Sequence, residues 1–475
     1  MPSDLYDVAI LGSGIAGLTC ARQLKQRGVR KVVVIEAARY DFLEKNEQKY
    51  YEGRVAETSC PHAPPDTYRT RAIGGTSHQW GGGLVLFEPD DFESSDSDGG
   101  RFWPLKMSDM EPWAAAASIS FGLKSKACER ETVSSSFCLF KDPRPLSGFS
   151  TGAVIFRRWK NLNFTKNLNN FEIKVGTAAI DILHNGDGSV VIITQNQVNQ
   201  IHGQIRAKKV VVALGGLEST RFFLNSPYLM KNVKNPDLVG RYYSCHISGS
   251  LGLLAGKSSN GASKIRTSPI IIPDAKYKPF VFTTHSRGFH SMRLNIGHPA
   301  KESFNEVSYS QALWSLKIAE LLTSRRLYQV SFDSDQVPNR NSCIRLSSQI
   351  AADGLPVLEI NHEVLDEDWA RIKRVSTHFG EQMNDIGYNL ITNDDSSLRS
   401  GILGQSHHLG SLRMANDSKS GICNSDLEVF GVPNVFLLSG AVFPSYSFAN
   451  PTYTVSLLAC RLAKFLADGF YESHK

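Results

Sequence analysis

The run Gly12-Ser13-Gly14-Ile15-Ala16-Gly17 follows a short apolar stretch, Tyr6 to Leu11, and opens a segment with helical spacing. Ile15, Leu18, Ala21 and Leu24 fall on one face of that predicted helix. Lys31 to Ile35, KVVVI, reads as a second buried strand that ends at Glu36. Strand, glycine turn, helix and strand make a βαβ unit with its glycines at the first turn. A side chain at that turn would hold a pyrophosphate away from the N–H groups at the helix start, so glycine is required. Glu36 stands about 20 residues beyond the motif, where a carboxylate accepts hydrogen bonds from ribose hydroxyls. A tight turn without ligand would explain the glycines alone, but the setting with Glu36 favours a dinucleotide. Which dinucleotide the unit leaves open.

At 475 residues the chain can bury a large core and is expected to divide into two domains. A formal charge of +6 over this length is mild, and its lysines and arginines are scattered. Nucleic acid is therefore excluded as the expected partner. No apolar run approaches the ~18 residues of a membrane span. Asp4 and the missing basic start argue against a signal peptide. Eight cysteines occur without Cys-x-x-Cys spacing, and Cys20 and Cys460 sit in apolar helical patterns. A reduced, cytoplasmic protein is the expectation, with no zinc or iron–sulfur pattern.

Two further glycine segments follow. Arg71-Ala-Ile-Gly74-Gly75-Thr76-Ser77-His78-Gln79-Trp80-Gly81-Gly82-Gly83 is a loop that can lay its backbone along a flat ring or a phosphate chain. Lys208 to Arg221, KKVVVALGGLESTR, is a buried strand, a glycine pair and a helix start, with Ala213 at the turn. Near the end come His407-His408-Leu409-Gly410-Ser411-Leu412-Arg413-Met414, then a strand opening onto Ser439-Gly440-Ala441, then Asn450-Pro451-Thr452. A closing helix carries Val455, Leu458, Ala459, Leu462 and Leu466 on one face.

On GSGIAG…Glu36, RAIGGTS, VVVALGGLESTR, VGRYYSCH (239–246) and the C-terminal run, the chain resembles the glucose–methanol–choline (GMC) oxidoreductase family. The HxxGSxRM pattern and the GGTS…W loop most resemble its sugar-oxidising, pyranose 2-oxidase-like members. The resemblance implies an α/β fold: a Rossmann-type FAD-binding domain and a second α+β substrate domain built on an antiparallel sheet. The expected division is 1–110, 170–244 and 400–475 for FAD, with 111–169 and 245–399 for substrate. It implies FAD contacts at Gly12, Ser13, Gly14, Ile15, Ala16, Gly17, Glu36, Arg71, Gly74, Gly75, Thr76, Ser77, Ile180, Ala213, Gly440, Ala441, Pro451 and Thr452. The pyranose 2-oxidase-like branch attaches its flavin to a histidine immediately before the tryptophan. Here Gln79 holds that place, and non-covalent FAD is expected.

The same resemblance makes His407 and Asn450 the catalytic pair, with His408 the bland neighbour. A lone histidine is more often a satisfied core residue, and Asn before Pro is an ordinary helix cap. In the functional reading the helix start points its partial positive charge at the flavin ring, and Asn450 faces a substrate hydroxyl. His407, with an ordinary imidazole pKa of about 6.5, is neutral near pH 7 and takes the hydroxyl proton as hydride leaves for flavin N5. Oxygen or another acceptor then reoxidises the flavin. Lyases that keep FAD on the same fold are the alternative.

Between these motifs, Leu251 to Ile272 and Phe280 to Phe332 alternate as antiparallel strands do, and Leu313 to Leu327 reads as a helix. Leu365, Trp369, Ile372, Phe379 and Met383 form a helical core stripe. Gln336 is a weak substrate candidate on a polar strand. Residues 89–101, acidic and small, read as an exposed loop.

Overall fold

The computed structural model describes residues 5–40, 45–79, 83–93, 102–122, 171–257 and 325–472, isolated positions excepted, and short pieces between 150 and 318. Leu5–Leu11 forms β1, Ile15–Gln26 α1 and Val32–Ile35 β2, the expected βαβ unit. Then come Glu172–Lys174 (β3), Thr177–His184 (β4), Val190–Asn196 (β5), His202–Val212 (β6) and Gly216–Asn225 (α2). Ile247–Lys257 is β7, Met292–Gly297 β8, Arg325–Ser334 β9, Cys343–Ile350 β10 and Pro356–Asn361 β11. Asp366–Asp385 is α3, Tyr388–Thr392 β12, Val435–Leu437 β13 and Thr452–Glu472 α4.

The first sheet runs β3-β2-β1-β6-β5-β4, with β13 also beside β6. The pairs β3/β2, β2/β1, β1/β6 and β6/β13 are parallel, and β6/β5 and β5/β4 antiparallel. The central strands are apolar along their whole length because both faces are covered: Val8 to Leu11, Val33 and Val210 to Val212 are fully buried. α1 and α4 pack together on this sheet, and Leu458, Ala459, Leu462 and Leu466 supply the buried stripe of α4.

The second sheet is antiparallel in the order β12-β7-β9-β8. Its core takes the predicted stripe of α3, with Trp369, Ile372, Phe379 and Met383 buried against Leu254, Leu294 and Phe332. A smaller sheet joins β10, β11 and Gly53–Val55, so a segment from the first part of the chain pairs with the second.

Two local expectations change, and one helix lies across an expected boundary. Ala114–Ser120 is a helix that packs on α4 within the nucleotide-binding core, across the boundary expected at 110. Its Ala117 and Ser118 have no exposed surface, and Tyr453 of α4 hydrogen-bonds Ser118 Oγ at 3.1 Å. Pro89–Glu93 is a short helix with Phe92 buried against Phe87 and Trp103, and 94–101 lie outside the described residues. The predicted helix at 313–327 also falls mostly outside them, and its end, from Arg325, is strand β9.

Candidate active site

Four parallel strands stop at one place. Leu11 leads to Gly12, Ile35 to Glu36, Val212 to Ala213, and Leu437 to Leu438, and each of those following residues lines one cavity of about 540 Å³. A crevice at the carboxyl ends of parallel strands is where such sheets bind ligands.

The glycines divide the labour there. Gly12 has φ +98°, and a Cβ on it would sit 2.7 Å from the carbonyl oxygen of Ala213. On Gly17 a Cβ would meet Gly12 O at 2.1 Å, so this residue serves helix–strand packing and does not line the cavity. Gly14 differs. Its φ of −67° is ordinary, and nothing in the chain lies within 4 Å of its would-be Cβ. No neighbouring atom of the chain requires Gly14 to be glycine, which fits a place kept for a ligand. It precedes α1, whose N-terminus has no side-chain cap, and Ile15 and Ala16 line the cavity with it. Such a helix start takes a phosphate.

Around this point the chain is braced from three sides. Ser13 donates from N–H (2.9 Å) and from Oγ–H (2.6 Å) to one Glu36 oxygen, and Ala38 N–H donates to the other at 2.8 Å. Gly74 N–H donates to Ser13 O at 3.0 Å, which brings the second glycine loop onto the first. Arg71 lies over the Tyr50 ring at 4.0 Å and donates to Gln197 Oε1 at 2.6 Å. An uncapped helix start, a glycine cradle and a carboxylate at the end of β2 fit a dinucleotide.

Gly12, Ser13, Gly14, Ile15, Ala16, Glu36, Arg71, Gly74, Gly75, Thr76, Ser77, Ile180, Ala213, Gly440, Pro451 and Thr452 all line the cavity, as do His407 and Asn450. Gly17, Ala441 and Gln336 do not. Ala441 is fully buried, and its N–H is held by Ser439 Oγ at 3.2 Å. Gln336 is buried at 5 % exposure, and its amide oxygen accepts from His362 and from the Tyr446 hydroxyl. The amide oxygen is thereby held within the chain. Tyr50, Tyr51, Arg69, Gln197 and His408 line the cavity too, and no sequence motif marks the first four.

At the other end of the cavity, segments 242–247 and 405–411 run antiparallel. Ser244 and Leu409 exchange backbone hydrogen bonds of 3.1 and 2.9 Å. Alternation then puts Tyr243 and His408 on one side, His246 and His407 on the other. His408 Nδ1 lies 2.9 Å from the Tyr243 hydroxyl, which is 3.0 Å from His62 Nε2. Burial holds His408 well below the usual imidazole range, with the charges of His62, Arg69 and His407 adding to it. His407 Nδ1 lies 2.9 Å from His246 Nδ1. Val455 N–H bonds Pro451 O at 2.9 Å and α4 starts at Thr452, so Asn450 stands one residue ahead of the expected cap position. Asn450 lines the cavity from that position.

Residues 338–459 match the GMC oxidoreductase family model, and 7–42 match the model described as FAD dependent oxidoreductase. The two matched stretches hold the glycine cradle, Glu36, His407 and Asn450. The chain is an FAD-dependent oxidoreductase. It is similar to paromamine 6'-oxidase of Streptomyces fradiae, 21% identical over 99% of this chain and 93% of the relative. A C-glycoside 3-oxidase of Microbacterium trichothecenolyticum is 30% identical over 26% of this chain and 23% of its own. In fold, the oxidoreductase is like pyridoxine 4-oxidase from Mesorbium loti, with TM-score 0.58 and 17% identity, covering 97% of this chain and 99% of that one. Among the described residues no helix is long and apolar enough to cross a membrane.

Proposed function

We propose that this oxidoreductase oxidises a CH–OH group of a sugar or glycoside, with His407 as the base and Asn450 as the second hydroxyl ligand. The observation that carries the reading is the meeting of His407 and Asn450 in the same cavity as the glycine cradle and Glu36. Sugar as the substrate class draws on the oxidases of aminoglycosides and C-glycosides among the relatives, and on the Gly74–Trp80 loop of the pyranose 2-oxidase-like pattern.

Bound FAD supplies the acceptor for the two electrons and the hydrogen that leave the alcohol carbon. The chain does the rest. Gly12 to Ala16 and Glu36 anchor the dinucleotide, and the start of α4 offers its partial positive charge to the ring system. His407 accepts the hydroxyl proton, while the Asn450 amide holds the same oxygen and sets which C–H bond is presented. Gln79, where a histidine would attach the flavin, leaves the cofactor bound without a covalent link.

Anaerobic titration of the purified holoenzyme with D-glucose, methyl glucosides, paromamine and 2-methyl-1,2-propanediol tests the reading. Bleaching by a sugar or aminoglycoside is the expected result, and peroxide on admitting air then identifies oxygen as an acceptor. His407→Ala should retain FAD and slow the bleaching by about 10²–10⁴-fold, the usual weight of a general base. Bleaching at the wild-type rate in that variant sinks the assignment.

A further inference from the structure

His246 occupies a place next to the proposed base that neither a glycine motif nor a cavity wall explains. It is buried at 2 % exposure and does not line the cavity. Its ring stacks on Tyr446 (centroids 5.4 Å, planes 24° apart), and Nε2 lies 2.7 Å from the carbonyl oxygen of Ser447. A carbonyl only accepts, so Nε2 carries the proton. Desolvation at this depth disfavours a cationic imidazole. Neutral His246 therefore presents the lone pair of Nδ1, and His407 Nδ1, 2.9 Å away, must be the donor to it.

We infer that His246 is a positioning residue for the reaction: it fixes His407 as the Nδ1–H tautomer and leaves the basic lone pair on Nε2. This rests on the reading of His407 as the base. The contact is edge-on, with ring centroids 4.5 Å apart and planes at 79°, so it also sets the direction in which the His407 ring is held. The hydrogen bond survives when His407 takes a proton, because Nδ1–H stays the donor in the cation. The chain ends on a carbonyl that cannot take a proton, so His246 orients and does not relay. Its anchors, Tyr446 and Ser447, precede Asn450 on one short segment, and Ala449 N–H donates to Ser447 Oγ at 2.9 Å. One stretch of backbone thus carries both the anchors of His246 and Asn450.

The tautomer is read without substrate. Holoenzyme made with heavy-nitrogen histidine gives imidazole spectra in which protonated and bare ring nitrogens are distinct, and the His407 signals are those lost in His407→Gln. The wild type should show His407 with Nδ1 protonated and Nε2 bare. His246→Asn should keep that pattern, because the amide oxygen stands near the position of Nδ1 and accepts. His246→Phe keeps a ring against Tyr446 but offers no acceptor, and His407 should become a mixture of tautomers. Flavin reduction by the alcohols of the panel should fall about 10–100-fold in His246→Phe and largely recover in His246→Asn, as for other orienting partners. A wild-type His407 protonated on Nε2, or an unchanged His407 spectrum in His246→Phe, overturns the inference. His407→Ala that still reduces its flavin would overturn the base assignment alone.

Discussion

At the scale of single residues, the motif glycines show how a sequence pattern and its physical meaning can part. Gly12 and Gly17 are glycine for the chain's own sake, one by its positive φ and both by carbonyls that a Cβ would strike. Gly14 meets no such obstacle, as the proposed pyrophosphate site requires. Gly14→Val should therefore fold with an unfolding midpoint close to that of wild-type apoprotein, yet purify without flavin absorbance. Gly12→Ala, strained at φ +98° and blocked by Ala213 O, should lose the fold itself. Soluble Gly14→Val that keeps its yellow colour would show the pyrophosphate lies elsewhere. Local consequences of this kind are readable from the sequence, because the turn, the helix and Glu36 lie within one βαβ unit. Gln336 was not readable in that way. Its partners are 26 and 110 residues distant, and only the folded chain shows that His362 and Tyr446 occupy its amide oxygen.

At the scale of elements, α2 is tied to the β10–β11 hairpin by a buried guanidinium. Arg221 donates to both carboxylate oxygens of Asp353 at 2.8 and 2.9 Å and to the carbonyls of Leu355 and Pro356 at 3.2 and 2.9 Å. The Arg221 and Asp353 side chains are 4% and 14% exposed, so the pair is shielded from solvent. Removing one partner of such a pair leaves a buried charge alone, and Arg221→Met should cost about 3–5 kcal/mol in denaturant unfolding. Arg221→Lys should recover little, since an ammonium cannot span a carboxylate and two carbonyls in one plane. A fully stable Arg221→Lys protein would show the fork to be ornamental. The helix start at Gly215-Gly216 was legible from LGGLESTR, and so was the α3 stripe. What Arg221 holds was not, because Asp353 lies on a turn with no pattern of its own. The helix beyond the expected boundary at 110 is a related case. Ala114–Ser120 is short and alanine-rich, and only the packing face of α4 decides to which core it belongs.

At the scale of the whole molecule, the seam between the two sheets is lined with histidines that burial keeps uncharged. His362, fully buried, is pushed down to about 3, first by desolvation and then by the neighbouring charge of His62. His62 and His408 are lowered too, again chiefly by burial. The unfolded chain binds a proton at each of these sites below about pH 6.5, while the folded chain does not, so stability must fall as pH falls through that value. For His362 the loss should reach about 2 kcal/mol by about pH 5 and continue towards its folded value near 3. The opposite sign would hold for a histidine paired with a carboxylate, and His362 instead donates to the neutral amide of Gln336. Urea unfolding midpoints of the holoenzyme across this range measure the slope. His362→Gln keeps a donor for Gln336 and removes the titrating group, so its midpoint should vary less with pH than the wild type's, whatever it costs at neutral pH. Equal slopes in the two proteins would mean that His362 takes up its proton without unfolding the seam.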